Sequence, residues 1–408
     1  RARPRARPQI CRRGTMSFDP EPLLAKPRAD PNLLLQCAFA VIGLASSVLW
    51  NQLMLCVTVL TGLFGKPALA RAATAQNALC ALAMVLLTFG QRLVPQMDVR
   101  SRLTLCAASF VVMLGLGMAL ASMLHDADAP EHIFLTLVAL NGLCTGMAQN
   151  LAASLSTMFE GASGALLFGE SMSPLVAVAI AACAESLGQV ASLTLLLAEG
   201  FVLGALLAIA WVARAKAAAP SASSAGQCLC EGGEAREYVL HRFSQLLGNT
   251  AVAFFACCIW VFLLCSSPFI SEGLCRGSAC SNLPSRMISV ANVAATLGRF
   301  LGLKVNGRSW LPALVLESLM LLGFGMLVIF ASAFAELPAM SFQAALAVAL
   351  CISGGLTLWS NFLLMRNDHS AQSTCGHSVL LPCHVTTEIM WLSIQVGSIT
   401  GTRFAAAL

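Results

Sequence analysis

The chain has 408 residues, of which 58% are hydrophobic and only 11% charged, whereas soluble domains carry about 25% charged residues. This excludes a water-soluble fold and requires an all-α polytopic membrane protein, with backbone polar groups satisfied inside helices; the apolar runs are too long and unbroken for a β-barrel. The formal charge of +5 lies largely within the first 28 residues, so it signals no nucleic-acid partner, and the surroundings implied are a lipid bilayer.

Residues 1–14 are rich in Arg and Pro and precede the first methionine, Met16. Residues 1–32 are expected to form a disordered cytoplasmic tail, its beginning a tail or a translated leader; no signal-peptide apolar region is present. Apolar runs follow at 33–62, 72–90, 103–124, 133–158, 164–184 and 190–213, then at 246–270, 287–303, 311–334, 341–364 and 389–408. Each approximates the ~20 residues that a bilayer crossing needs. The fifth is interrupted by Gly164, Gly169 and Pro174. Residues 214–245 contain a Ser/Ala/Gly-rich stretch and read as a cytoplasmic linker. The expected organisation is therefore a six-helix bundle over 33–213 and a five-helix bundle over 246–408.

With the N-terminus in the cytoplasm, only Lys66, Arg71, Arg276, Arg286 and Arg403 fall outside. Ten Lys and Arg residues fall inside even when those before the first span are set aside, which satisfies the positive-inside rule. Most of the 17 cysteines lie in apolar spans and behave as small hydrophobes. Cys275 and Cys280 flank a short polar loop and could pair if that loop faces an oxidising compartment.

Polar residues inside the spans are the candidates for function. In the eighth span, Asn292, Thr296 and Arg299 recur at i, i+4 and i+7, which is one helical face. Arginine at the bilayer centre costs at least about 2.5–3.5 kcal/mol, so this face is expected to point inward; the competing reading has Arg299 snorkelling to the headgroups. Trp50 and Asn51 in the first span could wall a polar-ligand site or serve helix packing. Asn141, Thr145 and Gln149 share a face of the fourth span and suit either ligand hydrogen bonds or an interhelical seam. Glu170, Glu199 and Glu317 are intramembrane carboxylates and are functional candidates on that ground. The spans contain neither His nor Asp, and the chain has no HExxH or Walker A motif. No cofactor or metal is expected, and an enzyme is the least expected class.

Taken in order, these features resemble the equilibrative nucleoside transporter family (the solute carrier 29 type). The family's Pro-Trp-Asn element reads Leu49-Trp50-Asn51 here. Its fourth-span Asn and Gln are similar to Asn141 and Gln149. The seventh-span Phe-Pro element is approximated by Ser267-Pro268-Phe269. Its Asn-x-x-Asp-x-x-Gly-Arg motif reads Asn292-Val-Ala-Ala295-Thr-Leu-Gly298-Arg299, with alanine in place of the aspartate. The tenth and eleventh spans are similar through Gly354-Gly355 to Asn361 and through Gly397-x-x-x-Gly401.

The resemblance implies a 6+5 major-facilitator-like arrangement in the plasma membrane. It implies facilitative transport of a nucleoside or nucleobase by alternating access. It further implies substrate contacts from Trp50, Asn51, Asn141, Gln149, Asn292 and Arg299. With the aspartate absent, Arg299 needs another partner; Glu170 on the facing fifth span is the first candidate, for an ion pair or a gate. Another facilitator-type carrier of a small solute, with or without proton coupling through Glu170, and a degenerate homologue that does not transport are the alternatives.

Overall fold

The outer surface of the fold is rich in leucine and valine, and its largely apolar interior also holds many uncharged polar side chains. Leu86, Val111, Leu207, Leu319 and Leu322 are more than half exposed, while Asn51, Gln52, Asn292, Glu317 and Asn361 are buried. Such surfaces are stable against acyl chains rather than water. The computed structural model describes residues 31–93, 98–126, 128–156, 158–159, 161–186, 191–218, 235–277, 280–305, 309–333, 340–375 and 383–407. Residues 1–30 of the expected N-terminal tail and 219–234 of the expected linker lie outside them.

Twelve helices are present among the described residues: α1 (Pro31–Leu55), α2 (Val57–Phe64), α3 (Ala68–Leu93), α4 (Val99–Met123), α5 (Glu131–Ser156), α6 (Ala162–Ser186), α7 (Ala191–Ala218), α8 (Ala235–Leu274), α9 (Leu283–Leu303), α10 (Leu311–Ala333), α11 (Phe342–Cys375) and α12 (Cys383–Ala406). Eight of these, namely α1, α3–α8 and α11, are long and apolar enough to cross a membrane. The polar stripe of α9 lowers its hydropathy. That helix packs against α6, α8 and α11 instead of standing alone in lipid. The first expected span is two helices, because the chain turns at Cys56 between α1 and α2. Gly65 ends α2 with φ of 85°, a left-handed conformation that favours glycine. At the start of α4, the Asp98 carboxylate accepts from the Ser101 amide at 2.9 Å. A hydrogen bond from the Ser101 side chain, and after it this amide cap, hold the carboxyl below its ordinary range.

The four most extensive helix pairs are α1–α6, α3–α5, α8–α12 and α9–α11, and each is brought close by glycine. A Cβ on Gly43 would fall on the Leu166 carbonyl, and one on Gly169 on the Ala40 carbonyl. Gly142 and Gly146 on α5 lie equally close to the backbone of Gln76 and Cys80; Gly298 and Gly302 on α9 meet Leu358 and Phe362; Gly397 and Gly401 on α12 meet Phe254 and Cys258. Small residues at i and i+4 allow such approach where no hydrophobic effect drives helices together. The pairs repeat. Taking α1–α2 as one span and advancing six spans converts α1–α6 into α8–α12 and α3–α5 into α9–α11. The same shift converts one seam between the halves, α6–α9, into the other, α12–α3. The two halves thus repeat one pattern of helix pairing.

At one end of the molecule, Cys275 and Cys280 are joined in a disulfide, as their spacing allows. That end also bridges the halves. The Thr58 and Ser285 hydroxyls lie 2.8 Å apart, and Lys66 pairs with Glu272.

The glycine contacts are open to a direct test. Gly298→Leu should lower thermal stability of the purified protein by about 1–3 kcal/mol, the usual cost of overpacking. Gly323→Ala, whose Cβ would meet nothing within 4 Å, should leave the melting temperature unchanged.

Candidate functional site

Arg299 is near the opposite end of α9 from Ser285, and its guanidinium turns into the bundle rather than towards headgroups. Its Nε donates to Oδ1 of Asn361 on α11 at 3.0 Å, and Nη1 donates to the backbone carbonyl of Glu170 on α6 at 3.4 Å. The guanidinium carbon lies 5.6 Å from the centre of the Trp260 ring on α8. Three helices of one half therefore meet around it, α8, α9 and α11, and α6 reaches it from the other half. Asn361 is itself fixed: its Nδ2 donates to the Thr357 carbonyl at 3.0 Å. Two hydrogen bonds and an aromatic face are what a guanidinium needs in an apolar interior.

One turn back along the same face, Thr296 donates to the Ser171 carbonyl of α6 at 3.1 Å. A further turn back is Asn292, fully buried. Neither its Oδ1 nor its Nδ2 has a hydrogen-bond partner among the described residues, and the same holds for Trp260 Nε1 and Thr357 Oγ1. A buried polar group left unmet costs about 1–3 kcal/mol. Asn292 therefore places an unmatched donor and acceptor on the face that carries Arg299.

The remaining residues singled out in the sequence are placed differently. Asn51 is buried on α1 and donates to Ser173 Oγ of α6 at 2.8 Å, so it links two helices of the first half. Trp50 is half-buried and packs on the main apolar core. Asn141 donates to Gln76 Oε1 at 3.3 Å, and the Cys80 thiol reaches Gln149 Oε1 at 4.0 Å. Both contacts are to α3, which places Asn141 and Gln149 in the α3–α5 seam. Glu170 is brought to Arg299 through its backbone carbonyl, and its carboxylate is within electrostatic range of the guanidinium. Glu199 and Glu317 are buried, and among the described residues neither carboxyl oxygen of either has a hydrogen-bond partner.

Sequence reasoning did not assign Asn361, Trp260 or Thr357 to the site. Their signal was a polar cluster within apolar spans, but only the packing of α11 and α8 on α9 identifies which of these residues meet Arg299. No group of three His, Cys, Asp or Glu side chains suited to a metal ion occurs among the described residues.

No protein-family model matches this chain, and no curated protein matches its sequence. Among solved structures it is similar to a bacterial homologue of the human lysosomal transporter Spinster, crystallised in an inward-facing and unoccupied conformation. The TM-score is 0.54 at 12% identity, over 93% of this chain and 81% of the other. This likeness establishes the fold: a multi-pass, all-helical membrane protein of the major-facilitator-like kind.

The site makes a prediction about its own stability. Asn361→Ala should destabilise the purified protein by about 1.5–3 kcal/mol, the worth of a hydrogen bond to a charged group. Asn361→Asp, which keeps the acceptor and adds a charge but loses the donor to the Thr357 carbonyl, should be more stable than Asn361→Ala. Equal melting temperatures for all three proteins would show that Arg299 does not depend on α11.

Proposed function

We propose that the protein is a facilitative transporter of nucleosides or nucleobases that works by alternating access. The carrying observation is the unmatched amide of Asn292, fully buried between two pseudo-equivalent bundles. An amide offers one donor and one acceptor side by side, which complements the edge of a nucleobase. The Trp260 indole offers a flat apolar surface, and the Arg299 guanidinium can hold hydroxyl oxygens. The ordered sequence resemblance to equilibrative nucleoside transporters supports this substrate class over other small solutes, and the fold supports a carrier in general.

Links between the halves lie near both ends of α9. Ser285 meets Thr58 at one end and Arg299 meets the Glu170 carbonyl at the other. They are 14 residues apart, or about 21 Å at ~1.5 Å per residue. Rocking of one bundle on the other would break one link while keeping the second, which opens the site to one side at a time. The loop charges support an orientation with the disulfide-bearing end outside and the N-terminus in the cytoplasm, and a disulfide suits that side of a plasma membrane. The outer link is reinforced by Lys66–Glu272, both partners half-exposed. Such a pair contributes about 0–1 kcal/mol, enough to bias a gate without locking it.

Purified protein in vesicles should take up labelled adenosine, uridine or hypoxanthine saturably and without an imposed ion gradient. Failure with all three, in protein shown to be folded, would refute the nucleoside reading. A proton-coupled carrier is the second reading, favoured by the buried, unmatched carboxyls of Glu199 and Glu317; uptake that required an inward proton gradient would select it. At the outer gate, Lys66→Glu should change the uptake rate by no more than about fivefold, and combining it with Glu272→Lys should restore the wild-type rate.

A further inference from the structure

Pro174 stands inside α6, and proline has no N–H to donate to the carbonyl four residues earlier. That carbonyl belongs to Glu170, and it is the one that receives Nη1 of Arg299 from the other half of the molecule. The next carbonyl, of Ser171, receives Thr296 from the same face of α9. A second intramembrane proline gives the contrast. Pro268 in α8 deprives the Leu264 carbonyl of its donor, and there the loss is made good within the helix, by the Ser267 hydroxyl at 2.7 Å. Helices in a bilayer tolerate proline only where some group re-satisfies the released carbonyl. In α8 the replacement is local. In α6 it comes across the seam.

We propose that Pro174 is a positioning residue: by releasing the Glu170 carbonyl it creates the acceptor on which Arg299 docks, and this hydrogen bond is the joint made and broken as the two halves move. The chemistry suits a joint. The acceptor is backbone, so its place is set by the helix and not by a rotamer. The donor is held in its own half by Asn361 and Trp260, so it travels with α9. The bond across the seam, at 3.4 Å, is longer than the 3.0 Å bond within the half. Separation should therefore occur at α6 and leave the guanidinium in its cradle. An unreleased carbonyl would already hold a helical N–H, and the guanidinium would gain less by approaching it.

The role of the joint in transport rests on the nucleoside-carrier reading, but its existence does not, and the experiment separates the two. In the full-length protein, the pair Ser171→Cys and Thr296→Cys reports the seam through the yield of the 171–296 disulfide, read by peptide mapping. Pro174→Ala returns an N–H to the Glu170 carbonyl and favours a regular helix, so the variant folds. It should lower the cross-linking rate by about tenfold, of the order of a lost hydrogen bond to a charged group. Pro268→Ala should leave the rate unchanged. Arg299→Gln should lower it as Pro174→Ala does, and the double variant should be no slower than either single one. Wild-type cross-linking in Pro174→Ala, or effects of Pro174→Ala and Arg299→Gln that multiply, would overturn the proposal. Without the cysteine pair, uptake by Pro174→Ala that falls while KM stays constant supports the role of the joint as a moving part. The non-additive cross-linking pattern in a protein that takes up no nucleoside would sustain the joint and remove the substrate assignment alone.

Discussion

A guanidinium inside a membrane bundle must be hydrogen-bonded, and the placement of four helices follows from meeting that need. Arg299 cannot shed its charge as a carboxylic acid can. It is held by an amide from α11, an aromatic face from α8 and a backbone carbonyl from α6. The family that the sequence resembles places an aspartate four residues before this arginine, where Ala295 stands here. A neighbour on the same helix would hold the charge without involving the rest of the protein. Without it, the charge is satisfied by tertiary packing, so the local chemistry of α9 and the relation between the halves become one problem.

Packing inside each half differs in kind from packing between the halves. Within a half, glycines bring backbones so close that no side chain could be added, and these pairs have little freedom to slide. Between the halves the side-chain hydrogen bonds are made without glycine-tight backbone contact: two hydroxyls and an exposed ion pair at one end of α9, two side-chain donors on carbonyls at the other, and Thr74 on Thr402 at 2.8 Å in the α3–α12 seam. Rigid bundles joined by weak polar links are what a rocking mechanism requires. Asn292 lies between the two sets of links, where its buried amide has nothing in the described protein to bond.

Much of this was legible in the sequence, for reasons that also explain what was not. The spans are written in hydropathy because lipid demands it, and the inward face of α9 is written in the spacing of Asn292, Thr296 and Arg299. The spacing of Gly397 and Gly401 permits a close helix contact, and Cys275 and Cys280 flank a loop short enough for them to pair; the structure shows both. Periodicity tells which face turns inward but not which neighbour it meets. Hence Asn361 went unassigned as the partner of Arg299, and periodicity could not choose between ligand contact and an interhelical seam for Asn141 and Gln149, which have partners on α3. The turn at Cys56 was hidden too, since no glycine or proline marks it; there the tertiary contacts of α2 with α3, α8 and α9 outweigh the continuity of the apolar run. Pro174 was read as an interruption of its span. Only the structure shows what the carbonyl it releases is used for.

In the proposed carrier, Arg299 is kept in the membrane for the movement of a solute between two halves, and not for the folding of one of them. The decisive comparison is uptake and thermal unfolding of Arg299→Gln beside wild type in a single preparation. The variant should be folded, at most about 3 kcal/mol less stable, and should have lost saturable nucleoside uptake and the thermal stabilisation that added nucleoside confers. A folded Arg299→Gln protein that transports at the wild-type rate would overturn this role.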